Sequence, residues 1–504
     1  MTSEWFRKFR AIFWPVFSSE RPVVVRLMGV FFFCGFSYHT LRQIKDNILL
    51  VSTKGGMEVV PFIKGWMLFP LSFLSVYLFS MSEKKFKERS SLVLALLLFS
   101  SYFLFFLFFI YPNRDNFAWH SLANLIEKWK LPGLSGMADM IRYWHLSIFY
   151  VVAELWGSII IQVALWGFAN EIVPMNEAKR IYVPLNFALN ISGVAASWVA
   201  IRFLFNQKVF YQFLGEFRWE QGLKLAILCL LLSGVFAILL IKNLPPIPWT
   251  KTTITQKKIE NDLSFTQRLR SIFMNPYTFY IAVNVFSFHF LVSTLELFWK
   301  EKVRQMYDPT SGEFSLHISC VSKWISLAST FSCFFLSGEM IQLLPWRISF
   351  LLTPILVCTT AFLFFLSASY PNSLAHLTST LALSPLQITI FLGDLGIFLS
   401  RTSKYVLFDI VKEFIYLPLE RKDRIQVKTV TDGLVSRGGK IVSSIMNFTL
   451  IGLGNGPLSH VALIHLLCSG LSIVWIHATS RLSTLFQEKE KEHEQGVTKL
   501  GKDI

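Results

Sequence analysis

The chain has 504 residues, of which 53% are apolar and only 16% are charged, and its mean hydropathy is +0.49. Soluble domains carry about 25% charged residues, so this composition excludes an ordinary soluble enzyme. The net charge of +16 would suit a nucleic-acid-binding protein, but the Lys and Arg residues concentrate in alternate loops between apolar stretches. That distribution indicates membrane topology and predicts no nucleic-acid partner.

Apolar stretches long enough to cross a membrane recur along the chain from Val23 to His477. A hydrocarbon layer about 30 Å thick needs roughly 20 mainly apolar residues per helical crossing. The short alternating segments of a spanning β-barrel are absent from the sequence. We therefore predict an all-α integral membrane protein of about twelve transmembrane helices, with crossings at 23–44, 58–80, 91–111, 143–169, 183–206, 223–242, 277–298, 316–337, 348–369, 383–400, 434–453 and 458–479.

The loops on the side that holds both termini contain most of the Lys and Arg residues, which predicts that both termini are cytoplasmic. The first 22 residues lack the apolar core and cleavage site of a secretory signal peptide. Two acids in that segment, Glu4 and Glu20, argue against an organelle transit sequence. We expect a multi-pass protein of the bacterial inner membrane, in which the basic clusters at 84–89, 257–258 and 421–424 mainly fix the topology.

Two short motifs occur twice. Residues 36–39 read FSYH and residues 286–289 read FSFH, while residues 181–185 read IYVPL and residues 415–419 read IYLPL. The same order, similar spacing and equivalent crossings indicate two six-helix halves in a major-facilitator-like arrangement, although apolar helices also produce such similarity by chance. The predicted divisions are a cytoplasmic N-terminal segment at 1–22, a six-helix bundle at 23–242, a cytoplasmic linker at 243–275, a second bundle at 276–480 and a charged cytoplasmic tail at 481–504.

Charged residues inside apolar stretches are the candidate functional residues, because an ionisable side chain at the centre of a spanning helix costs about 2.5–3.5 kcal/mol. Arg42 and Lys45 share one helical face at the end of the first crossing, which suits an anion. Equally, this segment could lie at the membrane surface, with Lys45 paired to Asp46. Glu154 lies deep in the fourth stretch with no basic neighbour in the same helix, so we expect its partner on another helix.

The second half offers two further candidates. Glu296 ends the seventh predicted crossing and takes the place of Asp46 in the repeat; alternatively it is an interfacial residue paired with Lys300, four positions later. Lys440 is predicted to open the eleventh crossing beside Gly438 and Gly439, where a helix N-terminus would favour a phosphate. Secondary candidates lie near predicted crossing ends, where snorkelling explains them equally well: Lys64, Lys323, Arg142, Arg202, Arg401, Lys404 and Asp394.

Motifs of covalent or metal-dependent catalysis are absent from the sequence, which contains no HExxH, nucleophile elbow or Walker pair. The six cysteines form no CxxC pair and are expected to pack within helices. We therefore predict that the protein is not an enzyme and has no cofactor or metal. Basic residues on several crossings, with fewer buried acids, predict a cavity for a polyanion.

Long ordered segments resemble the nucleotide (ATP/ADP) transporters of obligate intracellular bacteria and plastids. The resemblance covers nearly the whole chain. It is carried by Glu296 with Trp299 and Lys300, by Lys412 and Glu413, and by residues 41–46, 61–64, 153–158, 166–172, 177–180, 400–405, 407–409 and 415–419.

The resemblance implies exchange of ADP for ATP, or proton-linked import of nucleotides, with protons or phosphate as the coupled ions. It implies transport roles for Lys45, Glu154, Glu296 and Lys440. The family's exchange members read GKSGG around the last lysine, whereas residues 439–443 here read GKIVS, so another nucleotide or net import stays open. Further alternatives are a phosphate transporter and, from another class, a membrane-embedded enzyme or nucleotide sensor.

Overall fold

The computed structural model describes residues 16–53, 56–72, 74–75, 88–129, 134–173, 175–206, 219–246, 274–335, 346–371, 382–416, 418–419, 427–453 and 460–500. Across these ranges the regular structure is helical, as the sequence predicts. Most of the linker lies outside the described residues, as do the start of the N-terminal segment, the last four residues of the tail and most or all of each basic cluster at 84–89, 257–258 and 421–424.

The principal helices are numbered here in chain order. They are α1 Arg21–Ser52, α2 Val59–Phe62, α3 Glu88–Phe105, α4 His120–Glu127, α5 Ser135–Arg142, α6 Trp144–Leu155, α7 Met175–Val199, α8 Trp219–Lys242, α9 Pro276–Met306, α10 Glu313–Phe335, α11 Trp346–Ser369, α12 Pro385–Ser403, α13 Ser436–Leu453 and α14 Val461–Leu500. Turns of π-helix extend several of them without a break.

The π-helical turns follow α2, α3 and α7, precede α13, and join α6 and α12 to further α-helical turns. Their bounds are Ile63–Leu68, Phe106–Ile110, Ala200–Leu204 and Thr429–Val435, then Trp156–Leu165 leading into Trp166–Ile172, and Lys404–Phe408 leading into Asp409–Ile415. Such turns are uncommon and concentrate at functional sites. Those after α6 and α12 begin within three residues of Glu154 and Arg401.

Eight helical segments of the described chain are long and apolar enough to span a membrane: Arg21–Ser52, Arg89–Ile110, Trp144–Ile172, Arg180–Leu204, Trp219–Lys242, Pro276–Met306, Trp346–Ser369 and Val461–Lys489. The prediction of an all-α membrane protein is confirmed. The other four predicted crossings overlap α10, α12, α13 and the described helical residues that follow Val59. These segments are shorter or more polar than the eight spans.

The chain divides into two compact units. Unit 1 comprises Met1–Thr253 and Val303–Phe335, and unit 2 comprises Ile254–Lys302 and Leu336–Ile504. In unit 1, α1 packs against α7 and α8, and α7 also packs against α10. In unit 2, α11 packs against α12 and α14. The predicted boundaries of two six-helix bundles remain a prediction.

Two helices extend farther toward their C-terminal ends than the sequence predicts. The first and seventh crossings, expected to end at residues 44 and 298, continue as helix to Ser52 and Met306. Charged residues lower hydropathy, but here they point into the protein. Lys45 and Asp46 consequently lie within α1 and not at its end, and their side chains are buried in the protein.

The start of the eleventh crossing is also corrected. The backbone is helical from Val427 through Leu453, so Lys440 lies well inside a continuous helix. The sequence predicts that the partial positive charge of a helix N-terminus favours a phosphate at Lys440. This prediction is wrong, because the effect of a helix end fades within the first turn.

The two copies of the second repeated motif differ in their secondary structure. Residues 181–185 lie inside α7, with Pro184 in the helix, whereas the copy at 415–419 marks a helix end at Ile415. The first motif is more alike: Ser37 in α1 and Ser287 in α9 are both fully buried.

Each histidine of the first motif packs against a glycine of a neighbouring helix. A Cβ on Gly193 would lie 2.9 Å from the His39 ring, and one on Gly439 would lie 3.1 Å from the His289 Cβ. The contacts join the first predicted crossing to the fifth, and the seventh to the eleventh, which is the order that a duplicated unit requires.

Candidate functional site

The first cluster lies in unit 1, where α1 meets α6. Lys45 Nζ lies 2.8 Å from Glu154 Oε1 and 3.2 Å from Asp46 Oδ1. Glu154 thus has the partner on another helix that its position required. The Lys45 and Asp46 side chains are almost fully buried, whereas 31% of the Glu154 side chain is exposed.

Tyr150 completes this first cluster. It precedes Glu154 by one helical turn and is fully buried. Its hydroxyl accepts a hydrogen bond of 3.2 Å from Lys45 Nζ, which also lies 4.2 Å from the centroid of the ring. A cation near an aromatic face gains electrostatic attraction, so Tyr150 fixes the ammonium group from a second direction.

The second cluster lies in unit 2, where α9 meets α12. Glu296 Oε1 lies 2.6 Å from Lys300 Nζ, and its Oε2 lies 2.7 Å from a guanidinium nitrogen of Arg401. The i,i+4 pair with Lys300 is confirmed, but Glu296 is not merely interfacial, because Arg401 reaches it from another helix. All three side chains are at least four-fifths buried.

Trp299 links the same two helices beside this second cluster. Its indole Nε1 donates a hydrogen bond of 2.8 Å to Asp394 Oδ1. A Cβ on Gly393 would collide with the Trp299 ring, so the small residue lets the indole approach α12. Trp299 therefore helps to hold the helix that supplies Lys300 against the helix that supplies Arg401.

A third polar group lies farther along the chain in unit 2. Lys404 Nζ pairs with Asp409 Oδ2 at 2.7 Å, and Lys412 Nζ pairs with Asp432 Oδ1 at 2.8 Å. Tyr416 donates a hydrogen bond of 3.4 Å to Asp432 Oδ1. These contacts join the extension of α12 to the π-helical turn before α13.

Lys440 has an exposed side chain on α13. Together with Lys404 and Lys412 it lies near enough to His289 to act on it electrostatically. The structure thus brings two predicted site residues, Lys404 and Lys440, to the surroundings of one partly buried histidine.

The remaining predicted residues are less central. Arg42 is partly buried on α1 near His39, and Lys64 is partly buried in the π-helical turn after α2, a turn that packs against α6.

Sequence reasoning missed Tyr150 and Asp432 and underrated Lys300. The four-residue spacing from Tyr150 to Glu154 puts both on one helical face, a signal that was available. Asp432 carried no such signal, because its partner Lys412 is distant in sequence.

In each of the first two clusters a basic side chain can exchange its carboxylate partner for an anionic ligand. A phosphate oxygen can replace a carboxylate oxygen on Lys45, Lys300 or Arg401, since all three donate charge-assisted hydrogen bonds. Among the described residues no group of His, Cys, Asp and Glu could hold a metal ion, and the five cysteines whose side chains are described form no disulfide.

Two solved structures of transporters have a similar fold. The chain resembles a bacterial homologue of the iron transporter ferroportin, with a TM-score of 0.53 and 14% identity, covering 92% of this chain and 98% of the other. It also resembles the POT family transporter PepTSo, with a TM-score of 0.51 and 11% identity over 94% and 98% of the two chains. The chain therefore shares the overall fold of these two structures.

The sequence profile of the TLC ATP/ADP transporter family matches residues 1–486, and the chain belongs to that family. ADP,ATP carrier protein 2 of Chlamydia pneumoniae is 27% identical over 513 residues, covering 96% of this chain and 95% of the relative. ADP,ATP carrier protein 1 of Rickettsia typhi is 26% identical over 502 residues, covering 96% and 97%. ADP,ATP carrier protein 2, chloroplastic, of Arabidopsis thaliana is 27% identical over 481 residues, covering 93% and 76%.

Proposed function

We propose that this protein is a secondary transporter that exchanges ADP for ATP by alternating access and thereby imports ATP. Its relatives from Chlamydia, Rickettsia and chloroplasts are named ADP,ATP carriers. The observation that carries the proposal is the pair of interhelical ion clusters, Lys45 with Glu154 and Glu296 with Arg401. Three of these four residues lie in helices long and apolar enough to span a membrane.

Buried ion pairs in a membrane protein are costly to desolvate, and they are typical of substrate and ion pathways. The basic members supply the charge that a polyphosphate needs. The acidic members keep these cations paired while no nucleotide is bound. Binding of a nucleotide exchanges a carboxylate for a phosphate at each cation, so a cation stays neutralised throughout the cycle.

We place the protein in a bacterial inner membrane with both termini in the cytoplasm. The excess of Lys and Arg in the loops on one side supports this orientation. At full ionisation, exchange of ATP for ADP moves one net charge, worth about 2.3 kcal/mol per 100 mV. The membrane potential should therefore bias the direction of exchange unless a proton or phosphate moves as well.

The test is uptake of labelled nucleotides into proteoliposomes, with and without a nucleotide inside. Exchange predicts rapid uptake of labelled ATP into vesicles loaded with ADP and little uptake into empty vesicles. Equal uptake into both kinds of vesicle would replace exchange by net import. Residues 439–443 read GKIVS where exchange members of the family read GKSGG, so a panel of labelled nucleotides in the same assay identifies which nucleotide is transported. Uptake of phosphate alone would contradict a nucleotide substrate.

A further inference from the structure

The segment between the third and fourth predicted crossings forms a helical hairpin of α4 and α5. Residues 119–129 separate cleanly by polarity on a helical projection. With 100° per residue, Trp119, Leu122, Ala123, Leu125, Ile126 and Trp129 cover one side, and the polar residues cover the other. This apolar side is wider than the part that the protein covers.

Only the inner part of this apolar side of α4 is buried. Ala123 and Ile126 pack against Ala138 of α5, with Leu134 and Ile141 alongside. The outer part is exposed: 45% of Leu122, 52% of Leu125 and 61% of Trp129 are accessible. A short helix with large apolar side chains on its outer side needs an apolar environment there.

Helix α5 is fixed to the rest of unit 1. A Cβ on Gly136 would lie 2.7 Å from the Glu58 carbonyl oxygen, and Ser135 Oγ donates a hydrogen bond of 2.6 Å to Glu58 Oε2. The hairpin is therefore held in place by its inner helix, and α4 forms its outer layer.

Arg142 locks the two helices of the hairpin together. Its guanidinium pairs with Glu127 of α4 at 2.7 Å and with Asp139 of α5 at 3.0 Å. Burial alone would lower the pKa of Arg142, but the hydrogen bond and charge of Glu127, together with Asp139, raise it above the usual value. The orientation of the apolar face of α4 is thus set by a charged residue that stays ionised.

The exposed face continues the surface of a membrane-spanning helix. The span Arg89–Ile110 ends in exposed Phe105, Phe108 and Phe109. The Phe109 ring contacts the Phe117 ring at 5.9 Å, and the Trp119 ring contacts the Trp144 ring at 5.4 Å, where the next span begins. Trp residues favour the membrane–water interface.

We propose that α4 is an interfacial helix that lies in the headgroup region of the bilayer. Its Leu122, Leu125 and Trp129 enter the acyl boundary, and His120 and Glu127, on the opposite side of the helix, face water. This division between lipid and water is typical of amphipathic interfacial helices. The occupant of the exposed face is lipid, because that face is continuous with the end of one span and the start of the next.

The test uses a spin label at single cysteines in a background in which the six native cysteines are replaced. Leu125→Cys reports on the apolar face, and His120→Cys is the control on the polar face of the same helix, about 140° away around the helix axis. Both are reconstituted in phosphatidylcholine and phosphatidylglycerol vesicles, and label accessibility to oxygen and to a water-soluble nickel chelate is measured.

The proposal predicts a several-fold higher oxygen-to-nickel accessibility ratio at residue 125 than at residue 120. Nickel access to both labels would show that α4 lies in water and would overturn the proposal. Exclusion of both reagents at residue 125 would show a protein contact, such as a second copy of the chain, and would overturn it as well. Leu122→Cys gives the same test if the Leu125 variant does not fold.

Discussion

In unit 1 the cation lies on the first helix and its acid on the fourth predicted crossing, whereas in unit 2 the acid lies on the seventh and its cation on the tenth. The link between helices is the same, Lys45 to Glu154 and Glu296 to Arg401, but the charges are exchanged. Moreover, the first cluster surrounds one cation with two acids, and the second surrounds one acid with two cations.

This difference teaches that the two units contribute unequally to binding of a polyanion. In the ion pairs given above, two acids share Lys45 and two cations share Glu296. Phosphates should therefore be attracted mainly by Lys300 and Arg401, while Lys45 becomes available only when its acids are displaced.

The largest effect is expected for Lys45→Met. It leaves buried Asp46 and Glu154 without their shared cation, and loss of one partner of a buried pair costs about 3–5 kcal/mol. We expect a strongly lowered unfolding temperature in detergent and no nucleotide uptake. Glu154→Gln is the matched control, since it keeps the Lys45–Asp46 pair and should unfold nearer to the unmodified protein. Equal stability of the two variants would mean that the Lys45 cluster has no structural role.

Glu296→Gln tests the second cluster, in which one acid pairs with two cations. Removal of the acid leaves Lys300 and Arg401 more strongly cationic, so the apparent KM for ATP should fall about tenfold, which corresponds to about 1.4 kcal/mol. Turnover should also fall, because the cations lose the partner that replaces the departing phosphate. Initial exchange rates over a range of ATP concentrations separate the two parameters. An unchanged KM would remove Glu296 from the site.

The two histidine–glycine contacts provide a third comparison. A Cβ on Gly439 would lie 2.6 Å from the Phe286 carbonyl oxygen, which is backbone, whereas one on Gly193 meets the side chains of Ser326 and His39. Overpacking costs about 1–3 kcal/mol, so Gly439→Ala should lower stability and exchange more than Gly193→Ala. Gly438→Ala is the control, because nothing lies within 4 Å of that position. Thermal unfolding of the three variants measures the order, and the reverse order would contradict the packing described here.

The smallest effect is expected for Tyr150→Phe. This change keeps the ring under Lys45 and removes only the hydroxyl, whose hydrogen bond contributes about 0.5–1.5 kcal/mol. Tyr150→Leu also removes the aromatic face and should be more harmful. Exchange rates that fall equally in both variants would show that the ring does not contribute to positioning Lys45.

The sequence predicts the helical membrane fold because spanning segments need long apolar runs, and Glu154 is recognisable because an acid within such a run needs a partner. The ends of α1 and α9 are not predictable from hydropathy, since inward-facing charges look the same as charges at a membrane surface. Nor does sequence order indicate that Arg401 reaches Glu296. That pairing depends on how α9 and α12 pack, which only the folded structure reveals.

The most direct test of the account uses two charge-neutral double replacements, Lys45→Met with Glu154→Gln, and Glu296→Gln with Arg401→Gln. Each removes one interhelical ion pair and keeps the net charge of its cluster, while Asp46 and Lys300 lose one partner, so folding of both variants is checked by thermal unfolding in detergent first. Uptake of labelled ATP into vesicles loaded with ADP is then compared with that of the unmodified protein. If both clusters bind the phosphates, each double variant should fold and lose exchange. Exchange at the unmodified rate in either variant would contradict a substrate role for that cluster.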